Sequence, residues 1–524
     1  MYRFFGLIIA LFLTTQVYAV ENLPSHDAQP PGGVWSWIRS WVGIHQLTVT
    51  VNDQDGNPVK TATVMVGEKP GTPFEGNIGT TDENGSITFQ DDALENPIPV
   101  TTYAPGFNAY TIFDLQAEQL SIKLTPRSST EAWVDATGSF SKWHPYKDND
   151  DLVASGIFAP LLPLEEIINF NLQALLGPEC KIVLLDETDI PCNLVFPRQR
   201  NLYGGLIPIT MNKPSYKMKV KDRRTQDFVS LAGDLPLTRT MDLLLAGSSF
   251  EVALDGLALR KIGLAMDVPV EGPLNLNMDL DFIIRSNQIE VEVENRPIGR
   301  SMLLLSLADY QSQGAQFIPT GIRVIPRREG FKVKKLSSVV KTGPLANARD
   351  VVLAVAIDLP ENKNDNDNDS KLIGIIERDL APTEARRINI NSFFLPLDLA
   401  LDSEGVHLSE VSNPRISPFP DFNLVTLRRE IDGGKFNSTH ESIWTVVTPA
   451  QRRIITLPEL PVDGIIPDPT VTPENDKLYW SAGVFALAKP VTMFDYNHLT
   501  ARDVVLNLTH FSWNRIEVGD AQRE

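Results

Sequence analysis

Cysteine is almost missing from this chain: Cys180 and Cys192 are its two examples in 524 residues. That leaves room for a single bridge and excludes a disulfide framework. Positive charge is also in deficit. Lys and Arg number 47 against 66 Asp and Glu, a net charge of −19 at pH 7. Nucleic acid and anionic membrane both need basic patches, so this balance excludes them as partners and leaves divalent cations and basic surfaces open. Beyond the N-terminus no apolar run approaches the roughly 18–20 residues of a membrane helix, so no transmembrane segment is expected. The histidines at 26, 45, 144, 407, 440, 498 and 510 form no ligand-spaced cluster. No GxSxG, Walker loop or dinucleotide fingerprint occurs.

The N-terminus does carry a pattern. Arg3 precedes the apolar run Phe4–Leu13, and Val17-Tyr18-Ala19 fits a signal-peptidase site. Residues 1–19 therefore read as a secretory signal, and the chain as exported to a periplasm, a cell surface or the medium. In an oxidising compartment the close Cys180/Cys192 pair is expected to form a disulfide clamping the hairpin of KIVLL and IPCNLVF. Residues 20–45 are a linker, polar and rich in Pro and Gly, ending in a cluster of Trp35, Trp37 and Trp41.

From 46 to 126 short alternating runs are punctuated by Asp, Asn and Gly turns: QLTVTV, then DQDGN, then TATVMV, then TDENG before SITF. This is the pattern of an antiparallel sandwich. Gly56 and Gly85 read as turn residues needing positive φ, and Asp53, Asp55 and Asp82 as turn formers through their carboxylates. The pieces Asp53-Gln54-Asp55-Gly56-Asn57-Pro58-Val59, Ala62-Thr63-Val64, Thr81-Asp82-Glu83-Asn84-Gly85 and Ala104-Pro105-Gly106-Phe107 resemble the carboxypeptidase regulatory-like family. The resemblance implies a transthyretin-like, seven-strand sandwich over residues 46–125. It also implies an accessory or structural module of an exported, bacterial protein, and says almost nothing of activity.

Residues 127–345 read as a central β-rich domain. Ile262, Leu264, Met266, Val268 and Val270 alternate with small or polar residues. After Glu271-Gly272-Pro273 the alternation resumes with Leu274, Leu276, Met278, Leu280 and Phe282 against Asn275, Asn277, Asp279 and Asp281, and continues through Ile289–Glu294. This predicts an antiparallel meander with one apolar and one acidic face, and Pro269 predicts an edge or a bulge. The same alternation would also suit a cup for an apolar ligand. Helical spacing is best in residues 162–177.

Residues 346–524 form a C-terminal β-rich region, its last strands from 475 being either a separate small sandwich or the closing strands of the domain before. Asp365, Asp367 and Asp369 alternate as the first ligands of a calcium loop would. Position six is Ser370 rather than Gly and position twelve is Ile376, so a solvated loop explains them better. His407-x-x-Glu410 with His510 gives the outline of a zinc carboxypeptidase set, but among prolines and strands it reads as coincidence, and His440-Glu441 lacks a second histidine.

The expectation is thus a mainly β, multidomain protein of antiparallel sandwiches, exported, and non-enzymatic. It would be a binding, adhesion or scaffold protein of the bacterial envelope, meeting protein or glycan surfaces, with no catalytic residues and no cofactor beyond the calcium candidate. The alternatives are a hydrolase of envelope or extracellular polymers and a carrier of an apolar ligand.

Overall fold

The protein is represented by a computed structural model that describes residues 14–16, 45–53, 56–127, 133–163, 179–181, 189–221, 223–245, 256–297, 300–310, 316–325, 333–357, 371–378, 386–402, 405–412, 418–431, 439–460, 477–488 and 507–518. Strands dominate, as the alternating runs predict, and they are layered as β-sandwiches. Among the described residues no helix is long and apolar enough to cross a membrane. The Trp35, Trp37 and Trp41 cluster, Asp55 and most of residues 1–19 and 162–177 lie outside them. Thr14–Gln16 pair in parallel with Leu162–Pro163.

The N-terminal sandwich has seven strands: β1 (Gln46–Asn52), β2 (Thr63–Val66), β3 (Ile78–Thr80), β4 (Ser86–Gln90), β5 (Ile98–Tyr103), β6 (Ala109–Leu115) and β7 (Gln119–Lys123). One sheet runs β4-β1-β7 and the other includes β3-β2-β5-β6. Alternation in β1 turns Leu47, Val49 and Val51 inward, against Val64, Val100, Ile112 and Ile122. The turns work as read. Asp53 accepts from the Asn57 backbone and side-chain amides at 2.8 and 2.9 Å. Asp82 accepts from the Ser86 and Asn84 amides, and the Ser86 bond leads in holding its pKa below the usual range. Gly56 and Gly85 have φ of 84° and 71°, and a Cβ on Gly85 would lie 2.4 Å from the Val51 carbonyl oxygen.

The next strands are β8 (Trp133–Ser141), β9 (Leu152–Pro160), β10 (Leu194–Tyr203), β11 (Ile207–Lys213), β12 (Ser215–Lys221), β13 (Arg223–Pro236), β14 (Ala258–Val270) and β15 (Phe282–Val293). They are followed by β16 (Ser301–Tyr310), β17 (Gln316–Ile325), β18 (Val333–Val339), β19 (Arg349–Ile357), β20 (Leu372–Glu377), β21 (Arg386–Ile390), β22 (Phe422–Ile431), β23 (Thr439–Pro449), β24 (Lys477–Leu487) and β25 (Leu508–Glu517). An eight-stranded sheet runs β11-β10-β9-β13-β14-β15-β18, with β21 beside β15.

The expected meander is corrected here. After β14 the chain does not fold back as a hairpin. Leu274–Asn275 and Met278–Asp279 leave the sheet and pair in parallel with β8. Gly272, at φ 106°, and Pro273 make the exit, and the apolar side of 274–280 then faces the eight-stranded sheet from across a core. β14 lies inside its sheet, between β13 and β15, and the register between Arg223 and Gln226 shifts where Pro269 falls, so the proline marks a bulge. The acidic face of β15 is also not bare. Glu290 lies opposite Lys335 on one side and Arg387 on the other, and Arg387 is ion-paired with Glu292.

Leu237–Leu245 is an α-helix that its sequence does not announce. Asp151, far away in the chain, caps it by accepting from the Thr238 amide at 2.7 Å.

The largest sheet has twelve strands, β17-β16-β19-β20-β25-β24-β22-β23-β6-β5-β2-β3. β16 pairs with β19 across residue 345, and β24 and β25 are inner strands of this sheet. Its N-terminal part joins the rest where β6 and β23 run in parallel, from Ala109↔Trp444 to Ile112↔Val447. The Trp444 indole donates to Thr111 Oγ1 at 2.8 Å, and Thr111 shares a second bond of 3.0 Å with Thr101. Beside them the Arg452 guanidinium lies 4.2 Å from the Phe113 ring centroid and 3.5 Å from Asp114. Substituting Thr111→Val keeps the shape but leaves the buried indole N–H without an acceptor, which costs about 1–3 kcal/mol. The urea midpoint of T111V should fall accordingly, whereas T48V, at an exposed threonine pair, should stay within about 0.5 kcal/mol of the parent.

Candidate functional site

Facing the eight-stranded sheet is a small sheet centred on β8, with β12 antiparallel on one side and the short strands at 274–275 and 278–279 parallel on the other. Its sequence is strictly alternating. Ala136, Phe140, Tyr216, Met218, Val220, Met278 and Leu280 turn inward. Tyr216 stacks on Phe158 with ring centroids 3.9 Å apart, and Phe158 stacks on Phe228. The Tyr216 hydroxyl donates to the Leu276 carbonyl, and burial pushes its pKa up. Gly138 allows the strands this close: a Cβ there would stand 1.9 Å from the Leu276 oxygen.

The outward side is a polar platform in three rows. β8 contributes Trp133, Asp135, Thr137, Ser139 and Ser141. Asn277 fills the gap between the two short strands, its Oδ1 accepting from the Ser139 amide at 3.1 Å and from Ser139 Oγ at 2.9 Å. Ser141 donates to Asp279. Lys142 sits 2.8 Å from both Asp279 and Asp281, and those bonds, Asp279 first, raise the lysine pKa; the same lysine, ahead of Ser141, lowers that of Asp279. On the other edge Lys217 lies 3.2 Å from Asp135. The arrangement offers hydroxyl, amide and charged groups on a flat, rigid surface with an indole at one end. Asn275, Asn277, Asp279 and Asp281 stand out in the sequence as one alternating polar face. Trp133 and the Ser/Thr row are invisible there, because only pairing brings strands so far apart in the chain together.

The residues singled out in the sequence fare differently. Asp365, Asp367 and Asp369 lie outside the described residues, and among the described residues no group of three or more His, Cys, Asp or Glu is placed to hold a metal. The HxxE outline is not assembled: His407 pairs with Asp402 at 2.9 Å, Glu410 binds Arg453 and Ser412, and His510 meets Ser392 at 3.0 Å. Cys180 is opposite Ile190 in backbone pairing, and Cys192 is buried just past that strand. Close by, the Lys213 ammonium donates to the carbonyls of Cys192, Leu194 and Ser215, at 2.6, 2.5 and 3.0 Å. Burial pulls its pKa down to about 8; the three acceptors make it a corner brace.

Two histidines, His144 and His510, are buried. His144 Nε2 is 2.6 Å from Asp234, which Arg260 also holds at 2.8 Å. Burial raises the Asp234 pKa, but His144 and Arg260 outweigh it and the net shift is downward. His510, Ser512 and Asn514 form a polar stripe that binds the segment 392–397. Glu377 lies on the same side of β20 as Ile375, the residue opposite His510, and burial raises its pKa.

No family model matches the chain, and no curated protein does. Among solved structures it is similar to the Bacillus anthracis TIE protein, at 8% identity over 66% of this chain and 50% of that one, with a TM-score of 0.15. The chain thus spans about half the length of that protein. It is also similar to the shaft pilin SpaA of Lactobacillus rhamnosus GG, at 10% identity over 45% of this chain and 98% of that one, TM-score 0.13. A third is BcpA, the major pilin subunit of Bacillus cereus, at 11% identity over 66% and 99%, TM-score 0.14. At these values the likeness is one of β architecture and says nothing of activity.

His510 supplies a test of the packing of the twelve-stranded sheet against the segment 392–397. Burial lowers its pKa from 6.5 to about 4. Between those values the unfolded chain binds a proton that the folded chain does not, so stability is lost as pH falls from 6.5 toward 4. Glu377, raised by burial, acts with the opposite sign, so the comparison is made against a variant. The parent should lose about 2 kcal/mol more than H510Q between pH 7.5 and 4.5 in urea titrations. Equal losses would contradict a buried neutral imidazole.

Proposed function

We propose that this chain is an exported, non-enzymatic binding and scaffold protein of a bacterial envelope, and that the outward face of the small sheet is its contact surface for a glycan. The observation that carries this reading is the composition of that face. Trp133 offers an apolar plate, and Thr137, Ser139, Asn275 and Asn277 offer the donors and acceptors that a hydroxyl-rich partner needs. The face is held flat by a close-packed aromatic core, so binding orders little of the protein.

The N-terminal sandwich is proposed to be a carboxypeptidase regulatory-like module. Its role would be to extend and stiffen the scaffold through the β6–β23 junction. Residues 1–19 are proposed to direct export. Cys180 and Cys192 would then be oxidised: Cys180 stands opposite Ile190, and period-two alternation puts position 192 on the same face as 190. Thiol labelling of the denatured, unreduced protein should find no reactive cysteine, and two labelled thiols would remove the bridge.

Binding of purified peptidoglycan and of soluble neutral and acidic polysaccharides tests the main reading. W133A and N275A should weaken capture by the binding polymer about tenfold while leaving the circular dichroism spectrum unchanged. Absence of saturable binding of every polymer by the parent would overturn the glycan reading.

The Ser392–His510 contact favours a second reading, a hydrolase. It predicts that a fluorophosphonate labels Ser392 and that H510Q abolishes the labelling; an unlabelled Ser392 ends it.

A further inference from the structure

The net charge of −19 conceals one stretch of opposite sign. Residues 213–224 contain Lys213, Lys217, Lys219, Lys221, Arg223 and Arg224 against a single acid, Asp222. Lys213 is spent on its three carbonyls. Alternation in β12 buries Tyr216, Met218 and Val220 and places positions 217, 219 and 221 on the outward side. These three stand opposite Thr137, Asp135 and Trp133 of the central strand. A row of lysines therefore runs along β12, the outer strand of the polar platform among the described residues, beside its indole; at that edge the Lys217 amide donates to the Cys192 carbonyl at 3.1 Å.

We infer that the partner is an anionic polysaccharide, laid along β12 with its acidic groups on the lysine row and its hydroxyls on the Thr137–Ser139 and Asn275–Asn277 rows. This rests on reading the platform as the contact surface. Same-face residues of a strand are about 6.8 Å apart, so the exposed Lys217 and Lys219 present their charges in a line along β12. That geometry suits a repeating linear anion rather than a small one, which needs converging donors. Lys217 and Lys219 lie within about one Debye length of each other at physiological salt and act together on such a polymer. The nearby carboxylates do not cancel them. Asp279 and Asp281 are both taken up by Lys142. Asp135 faces the row, and its pair with Lys217 leaves both side chains about half exposed, at 46% and 53%. An ion pair that wet contributes little and exchanges readily for another anion.

The plainer role for lysines on an edge strand is to prevent sheet-to-sheet association. The two roles separate on measurement. The probes are polygalacturonate, neutral dextran and a single-stranded DNA oligomer, each titrated against the full chain. The expected result is saturable binding of polygalacturonate that weakens about tenfold between 50 and 200 mM salt, as release of two or three counterions requires. K217Q/K219Q should weaken it a further tenfold or more and keep the parent's oligomeric state. K334Q/K335Q, which removes two lysines from β18, should bind as the parent does. Unchanged binding by K217Q/K219Q overturns the inference, and if that variant also oligomerises, edge protection is the lysines' role. Parent binding of dextran alone, still sensitive to N275A, overturns the anionic partner and leaves the platform standing. DNA binding as tight as polygalacturonate would make the row a general phosphate track and overturn it too. If no polymer binds the parent, both readings fall.

Discussion

The parallel pairing of β6 with β23 is the contact on which the continuity of the molecule depends. Left alone, β6 would be an exposed edge, and such edges are open to association with other chains. Here it is covered by a strand more than 300 residues away in the chain. The junction is tied by side chains as well as backbone. Trp444 reaches across to Thr111 within the buried layer, and Arg452 lies over Phe113 beside Asp114. A Trp N–H in that position needs an acceptor, and a threonine on the neighbouring strand is the shortest route to one. A module that could have hung from the rest on a tether instead contributes four of its seven strands to one twelve-stranded sheet. The module is positioned by that sheet rather than by a linker.

How much of this was legible in the sequence depends on whether the cause was local. The turn at Asp53–Asn57 was legible, because a carboxylate capping the amide four residues on and a glycine at positive φ act within the turn itself. So was the burial parity of β1 and of residues 274–280, which follows from period two; in β14 an irregularity at Asp267 breaks the parity and turns Val268 and Val270 to the other core from Ile262 and Leu264. The partner of each strand was not. Glu271-Gly272-Pro273 reads as a hairpin turn, and nothing within it says that the next strand will cross to another sheet. What decides is the apolar face of 274–280, which finds Phe140, Tyr216 and Phe158 there. The helix at Leu237–Leu245 was missed for a similar reason, since its cap is Asp151. The calcium candidates Asp365, Asp367 and Asp369 remain sequence patterns only.

Charge shows the same division between average and place. The composition argues against anionic partners, and as an average it is correct. Pairing rearranges it. The glutamates of β15, which read as an acidic surface, are flanked by Lys335 and Arg387. The lysines of β12, unremarkable in a total of 47 basic residues, share one edge and one side. Net charge governs solubility and long-range steering. Within a Debye length of the surface, contact is governed by the few charges that register brings together.

The platform's rigidity completes the connection from core to surface. The outward residues on β8 and β12 alternate with inward ones packed in one core, in which Tyr216 stacks on Phe158, so the outward row cannot shift without disturbing that core. Gly138 and the Tyr216–Leu276 bond fix the third row against the second. Weak individual contacts to a sugar or a carboxylate add usefully only when the groups making them are already ordered, because ordering costs are then not charged to binding. An extended partner gains further, since neighbouring repeats are presented to the rows at high effective concentration once one has bound. The outward face of a sheet is poorly made for enclosing a small substrate, and well made for lying along a polymer.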